Sequence, residues 1–481
     1  MPNRIAFVLG ASMSKEGKPT NPEEMSKRLD KQTTQLKRIR MSEHKKSREL
    51  RRLRTSPTFK LSILFIRAFE RPYRFLWLPI SMVLLVLNTI RERLGTRSIE
   101  PEVEPVMETL AEFSINSQGK TIVFFPTNGV GFGHFTRLFA VARRLKEIEP
   151  DADIIFFTTM PTLHLLKYEG IPSYHIPGRN MLGDVTASEW NMLCEENLSN
   201  LFSIHNPAVF VFDGTFPYRG MLNAIRGQEE IDKVWVRRGT FKKGATRIPV
   251  DSIDHFDVII RPSDSVEAAK DDHSEIDAEI FDCEPIIFAS KDELKPREYL
   301  RNRLGIPSDA IVAYVQLGAG QINDIESDIA ITLSELAKHE NVYTVVGESM
   351  LGSPITYEGP RLRFLRDYPN SINFKAFDFA VTACGYNSYH EMIHFGLPSI
   401  CYPNLNTGMD DQLARARVAE KSGAMIVLTD INRQSVSSAV EKILDTSTRQ
   451  RMQIAAVNLI RDNGADQVAE YLAKVLESSN Q

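Results

Sequence analysis

Three short stretches of this 481-residue chain carry residues suited to chemistry on a small polar anion. The first is Gly129-Val130-Gly131-Phe132-Gly133-His134. Gly129, Gly131 and Gly133 let backbone approach a ligand closely, and a helix start that follows aims free N–H groups at it. His134 stands at the mouth of that helix, where it can take a proton or act as a helix-capping or core histidine. The loop is not the dinucleotide fingerprint, because His134 sits where the third glycine would be and Phe156-Phe157-Thr158-Thr159 ends the next strand without an acid. The second stretch is Cys384-Gly385-Tyr386-Asn387-Ser388-Tyr389-His390-Glu391. Gly385 opens a turn, and Asn387 or Ser388 can cap a helix whose exposed N–H groups suit a diphosphate. Glu391 is a ligand-binding carboxylate or, through Ser388-x-x-Glu391, half of a capping box. The third is Asn404–Gln412, in which Asp411 and Gln412 can hydrogen-bond sugar hydroxyls or merely cap the next helix. A basic loop with Arg237, Arg238, Lys242 and Lys243 either meets an acceptor phosphate or is simply solvated.

Something must hold these stretches at strand ends, and the chain supplies it. Thr121–Phe125 reads as a buried strand by its β-branched and aromatic run. A helix is expected from about Thr136 to Glu149, with Leu138, Val141, Ala142, Leu145 and Ile148 on its buried face and Arg143, Arg144 and Lys146 off it. Strands follow at 154–157, at 209–213 with Asp213 at its end, at 234–236 and at 258–260. The pattern then restarts. Ile311–Leu317 opens into Gly318-Ala319-Gly320-Gln321 and a helix, and strands are expected at 342–346, 379–382 and 398–402. Strands alternating with helices imply parallel sheets. The fold class is therefore α/β, with two Rossmann-like domains facing a cleft and ligands outside the carboxyl ends of the strands. Residues 119–292 form the first domain and 293–481 the second.

Residues 1–118 are of another kind. They hold 22 Lys and Arg against 13 Asp and Glu, whereas the remainder is acidic enough to bring the whole to −4. Ten of those bases lie between Lys37 and Lys60, followed by Arg67, Arg71, Arg74 and the apolar run Phe75–Ile90. A run of 16 residues falls short of the roughly 20 that a spanning helix needs. A basic stretch before an apolar helix suits an anionic membrane surface, met through residues 37–90. The basic stretch lacks interleaved aromatics, so no nucleic-acid partner is expected. The four cysteines have no C-x-x-C spacing, and the expectation is reduced, mostly buried thiols in a cytoplasmic protein, with no zinc site or disulfide framework.

Taken together, residues 120–480 resemble the GT-B glycosyltransferases, in the branch of the N-acetylglucosaminyltransferase that completes lipid II. The likeness is carried by the glycine loop ending in His134, by Gly385–Pro403 with its Gly396-Leu-Pro398, and by Asp410-Asp411-Gln412 with Ala424. It implies transfer of a sugar, such as an N-acetylhexosamine, from a nucleotide-diphosphate sugar to a lipid-linked or polysaccharide acceptor, with inversion and no bound metal or cofactor. Glu391 would hold the ribose hydroxyls. The N–H groups of Gly385, Asn387 and Ser388, with the loop of Gly318, Gly320 and Gln321, would hold the diphosphate, and Asp411 and Gln412 the sugar. His134 would deprotonate the acceptor, oriented by Asp213. The implied place is the cytoplasmic side of a membrane, peripheral or short-anchored. Two rivals share the donor-site pattern: a sugar-nucleotide 2-epimerase and a non-catalytic nucleotide-sugar-binding subunit.

Overall fold

The computed structural model describes Leu61, Phe65, residues 78–93 and residues 120–478 apart from 128–131, 183–184, 239–249, 267–277, 319–324, 349–356, 408–409 and 461. The chain divides into two compact units, Met1–Phe113 and Ser114–Gln481. In the first, a single helix, Leu78–Arg93, is described. Its apolar side chains Ile80, Val83, Leu84, Val86 and Leu87 are exposed. No helix among the described residues is long and apolar enough to cross a membrane. The basic stretch 37–60 and the Pro- and Glu-rich segment 97–118 lie outside the described residues.

The second unit holds two parallel sheets. The first comprises β1 (Thr121–Pro126), β2 (Asp153–Thr158), β3 (Ser173–His175), β4 (Val209–Asp213), β5 (Asp232–Val236), β6 (Val258–Pro262) and β7 (Glu279–Cys283). Its order is β3-β2-β1-β4-β5-β6-β7. The second comprises β8 (Ile311–Gln316), β9 (Val342–Gly347), β10 (Leu362–Leu365), β11 (Phe379–Ala383), β12 (Ser399–Tyr402) and β13 (Met425–Val427), in the order β10-β9-β8-β11-β12-β13. Both are the doubly wound arrangement, whose strand order reverses beside the first strand. The reversal falls between β1 and β4 in one sheet and between β8 and β11 in the other. Ligands bind at such points, so the loops after β1 and β11 are where the fold itself makes room.

The strands read as continuous apolar runs because both faces are covered. Ile122 and Phe124 point into a core with the helix Gly133–Ile148, while Val123 and Phe125 point into one with the helix Ala187–His205. The chain's last helix, Gly464–Ser478, does not stay with the second sheet. Its Ala465, Val468, Leu472 and Leu476 are fully buried in the first core, against the helix Gly133–Ile148. Gly464 permits the approach, since a Cβ there would lie 1.8 Å from the carbonyl oxygen of Glu284. Leu472→Ala is expected to cost about 2–5 kcal/mol, read as a lower denaturant midpoint.

This crossing corrects one expectation. Arg144, expected off the buried face of its helix, is buried, with Nε donating to Asp466 at 2.9 Å and Nη2 to the carbonyl of Phe288 at 3.3 Å. Arg143 donates to Glu293 at 2.5 Å. The cysteines correct another. Cys194 and Cys283 are buried thiols pushed up to about 12 by burial. Cys384 and Cys401 are not separate: their sulfur atoms are joined, with Cα atoms 6.1 Å apart. Register explains the meeting. Thr382 of β11 pairs with Cys401 of β12, and Cys384 lies two residues on, a diagonal neighbour on the same face.

Candidate active site

The two switch points face each other across a cavity of about 370 Å³. One wall comes from the first sheet. The helix Gly133–Ile148 begins there without a side-chain cap, and His134 is its second residue. Gly133, His134, Thr136 and Arg137 line the cavity. Asp213, the last residue of β4, stands fully buried behind them. His134 Nδ1 is 2.7 Å from Asp213 Oδ1. Arg137 donates to the same carboxylate twice, Nε to Oδ2 at 2.9 Å and Nη2 to Oδ1 at 2.7 Å. Burial alone would raise the Asp213 carboxyl, but Arg137 and His134 outweigh it and hold it below the ordinary value. Burial, aided by Arg137 and Arg238, lowers the His134 imidazole below its usual value despite Asp213. A neutral imidazole held by an ionised carboxylate is the state a general base requires.

The opposite wall is the turn after β11 and the helix Tyr386–His394. Gly385 precedes this helix, which also has no side-chain cap, leaving its first N–H groups available. Gly385, Tyr386, Asn387, Ser388 and Glu391 line the cavity, as does Gly318, whose φ of +95° suits glycine at the end of β8. The capping-box reading of Glu391 does not hold. Its Oε1 accepts a hydrogen bond from Ser371 Oγ at 2.9 Å, and its carboxyl, pushed up to about 7 by burial against that bond, faces the cavity. Ser371 belongs to a short 3-10 helix, Asn370–Ala376, that no motif in the sequence signals.

Asp411 and Gln412 have protein partners. Asp411 caps the helix Gln412–Ser422 by accepting from the Ala414 N–H at 3.0 Å, and Gln412 Oε1 accepts from the Asn404 N–H at 3.0 Å. The cavity-lining carboxylate of that loop is Asp410. It is bound by Arg415 Nη2 at 2.7 Å and reached by Arg238 Nη1 at 3.4 Å. Arg415, fully buried, also grips Asp264 with Nη2 at 2.6 Å, and these two carboxylates raise it above its ordinary value against the effect of burial. Arg237 and Arg238 are not a solvated pair: Arg237 is buried, and Arg238 lines the cavity with its guanidinium 4.9 Å from the centre of the Tyr386 ring. Gly129, Gly131, Gly320, Gln321, Lys242 and Lys243 lie outside the described residues. Among the described residues no group of three or more His, Cys, Asp or Glu is placed to hold a metal ion.

Sequence reading passed over Arg137, Tyr386 and Ser371. Arg137 had a signal: His134-x-x-Arg137 is one helical turn, so both side chains leave the same face.

No protein-family model matches the chain. Over 209 residues, 43% of the chain, it is 25% identical to an uncharacterized glycosyltransferase of Methanopyrus kandleri, covering 57% of that protein. Over 32% of the chain it is 27% identical to the UDP-N-acetylglucosamine–N-acetylmuramyl-(pentapeptide) pyrophosphoryl-undecaprenol N-acetylglucosamine transferase of Aquifex aeolicus, covering 46% of it. The chain thus spans about half the length of the curated relatives it matches. In fold it is similar to the glycosyltransferase of kitacinnamycin, with a TM-score of 0.53 and 14% identity over 74% of the chain and 98% of that structure. It is equally similar to a proposed UDP-N-acetylglucosamine 2-epimerase from Listeria monocytogenes, with a TM-score of 0.53 and 13% identity over 75% of the chain and 96% of that structure. Two doubly wound parallel sheets around one cleft, with these relatives, make this a GT-B fold that resembles the branch of the lipid II-forming N-acetylglucosaminyltransferase.

Proposed function

We propose that the chain is a metal-independent glycosyltransferase that moves a sugar, such as an N-acetylhexosamine, from a UDP-sugar to a lipid-linked or polysaccharide acceptor. The observation that carries this reading is the pairing, across one cavity, of the His134–Asp213 dyad with the uncapped donor turn and Glu391. An epimerase works on a bound nucleotide sugar alone, whereas a base on the far wall serves a second substrate. His134 Nε2 takes the proton of the acceptor hydroxyl, whose oxygen then forms the new bond to the anomeric carbon. The bond from that carbon to the diphosphate oxygen breaks, and its electron pair leaves with the diphosphate, with inversion. Helix-start N–H groups at Tyr386–Ser388 and the Arg238 cation stabilise the developing charge. Glu391 accepts from the ribose hydroxyls, and Asp411 and Gln412, on the loop whose Asp410 lines the cavity, hold the sugar. Incubation with labelled UDP-sugars and polyprenyl or glycan acceptors tests the whole. Transfer or slow hydrolysis supports the reading, an isomerised sugar replaces it with an epimerase, and binding alone with a partner subunit.

The proposal includes a membrane-surface site of action on the cytoplasmic face, engaged through residues 37–90. The helix Leu78–Arg93 is about 24 Å long at 1.5 Å per residue, less than the roughly 30 Å of a hydrocarbon core. A helix that short with exposed apolar side chains suits the interface, and the basic residues before it suit anionic lipid. The full chain should sediment with phosphatidylglycerol vesicles, more weakly at high salt. A chain lacking residues 37–90 that sediments equally well would sink this part.

A further inference from the structure

We propose that Arg137 is the positioning residue of this cavity: it decides which ring nitrogen of His134 carries the proton and, through Asn387, ties that state to the donor turn. The inference deepens the transferase reading and rests on it in taking His134 as the base.

His134 Nδ1 has two neighbours that cannot both be satisfied. Asp213 Oδ1 lies 2.7 Å away and Arg137 Nη2 lies 2.9 Å away. An ionised carboxylate only accepts and a guanidinium only donates, while a single ring nitrogen does one or the other. With the proton on Nδ1, the ring donates to Asp213 and Nε2 presents its lone pair to the cavity. With Nδ1 bare, the ring accepts from Arg137, Nε2 carries the hydrogen, and the ring cannot take a proton from an acceptor through Nε2. Arg137 is thus a competitor for the imidazole as well as the anchor of Asp213.

The other end of the guanidinium faces the donor side. Nη1 is 3.5 Å from Asn387 Oδ1, and Asn387 Nδ2 donates to the carbonyl of Gly133 at 3.2 Å. Asn387 therefore touches both the guanidinium and the residue preceding His134, while its own backbone belongs to the turn assigned to the diphosphate. An anion at that turn draws the guanidinium toward the donor side and leaves Nδ1–H to Asp213. The base becomes competent when the donor is present. The charged groups facing His134 are Arg137 from its own helix, Asp213 from the end of β4 and Arg238 from beyond β5. The Tyr386 phenol, kept neutral by burial, sits on the donor side, with Arg137 5.5 Å from its ring centre.

The test is NMR titration of the His134 ring nitrogens in the full chain, with UDP as the probe. In Arg137→Gln the His134 midpoint should rise by about one unit, since a nearby cation has gone, and Arg137→Lys should recover part of the difference. Saturating UDP should move the wild-type His134 signals toward the Nδ1–H form, and should fail to do so in Asn387→Ala. A folded Arg137→Gln variant that titrates like the wild type overturns the proposal. So does an Asn387→Ala variant whose His134 answers UDP as the wild type does, and this arm decides alone if Arg137→Gln does not fold. A wild type that transfers no sugar yet shows these shifts defeats the transferase reading and leaves the role of Arg137 standing. A wild type that transfers sugar while the titrations stay unmoved defeats the role of Arg137 alone.

Discussion

His134→Ala is expected to lower turnover by about 10²–10⁴-fold, the usual contribution of a positioned general base, while uridine-nucleotide affinity stays close to that of the wild type. The two readouts separate because His134 and the donor turn sit on opposite walls, built by different sheets. His134 is partly exposed to the cavity. Asp213 and Arg137 keep their own two-point pairing without it. Kinetics with saturating donor and calorimetry with UDP check the two halves. Normal turnover in the variant, or a large loss of nucleotide affinity, would remove His134 from its assigned role.

Glu391→Ala should do the reverse and weaken nucleotide binding by about 10–100-fold. That is the worth of roughly 1.5–3 kcal/mol for hydrogen bonds to a charged acceptor. Because burial pushes the carboxyl up to about 7, the wild type carries a pH signature that the variant lacks. The carboxylate form is the one that accepts from two ribose hydroxyls, so nucleotide affinity should climb as pH rises through about 7. Stability runs the other way. Between the ordinary carboxyl value and about 7, the folded chain holds a proton that the unfolded chain has released, so stability falls as pH rises across that window. Glu391→Gln should flatten both curves. Calorimetry between about pH 6 and 8.5, the range that brackets about 7, would show the same profile in wild type and Glu391→Gln if the assignment is wrong.

The donor turn and the long strands were legible in the sequence because each depends on neighbours in the chain. Thr121–Phe125 and Ile311–Leu317 are apolar on both faces, and Gly385 marks the turn at which the next helix starts, although neither Asn387 nor Ser388 caps it. What long-range pairing supplies was not legible. Arg137 and Arg144 look alike as cations on one amphipathic helix, yet one anchors Asp213 and the other meets Asp466 from the far end of the chain. Ser371 reaches Glu391 from a segment 20 residues away, so the local Ser388-x-x-Glu391 pattern pointed to the wrong hydroxyl. The strands β3, β10 and β13 are three or four residues long, too short for periodicity to register.

The last helix bears on any attempt to re-engineer substrate choice. Because Gly464–Ser478 fills the core of the first sheet, the polypeptide crosses between the halves twice, before the helix Arg297–Leu304 and again before Gly464. A chimera spliced once, near residue 293, would unite one parent's first half with the other parent's tail and mismatch that core. Exchanging donor preference between relatives of this chain therefore calls for two splice points, with the tail inherited alongside the half it completes.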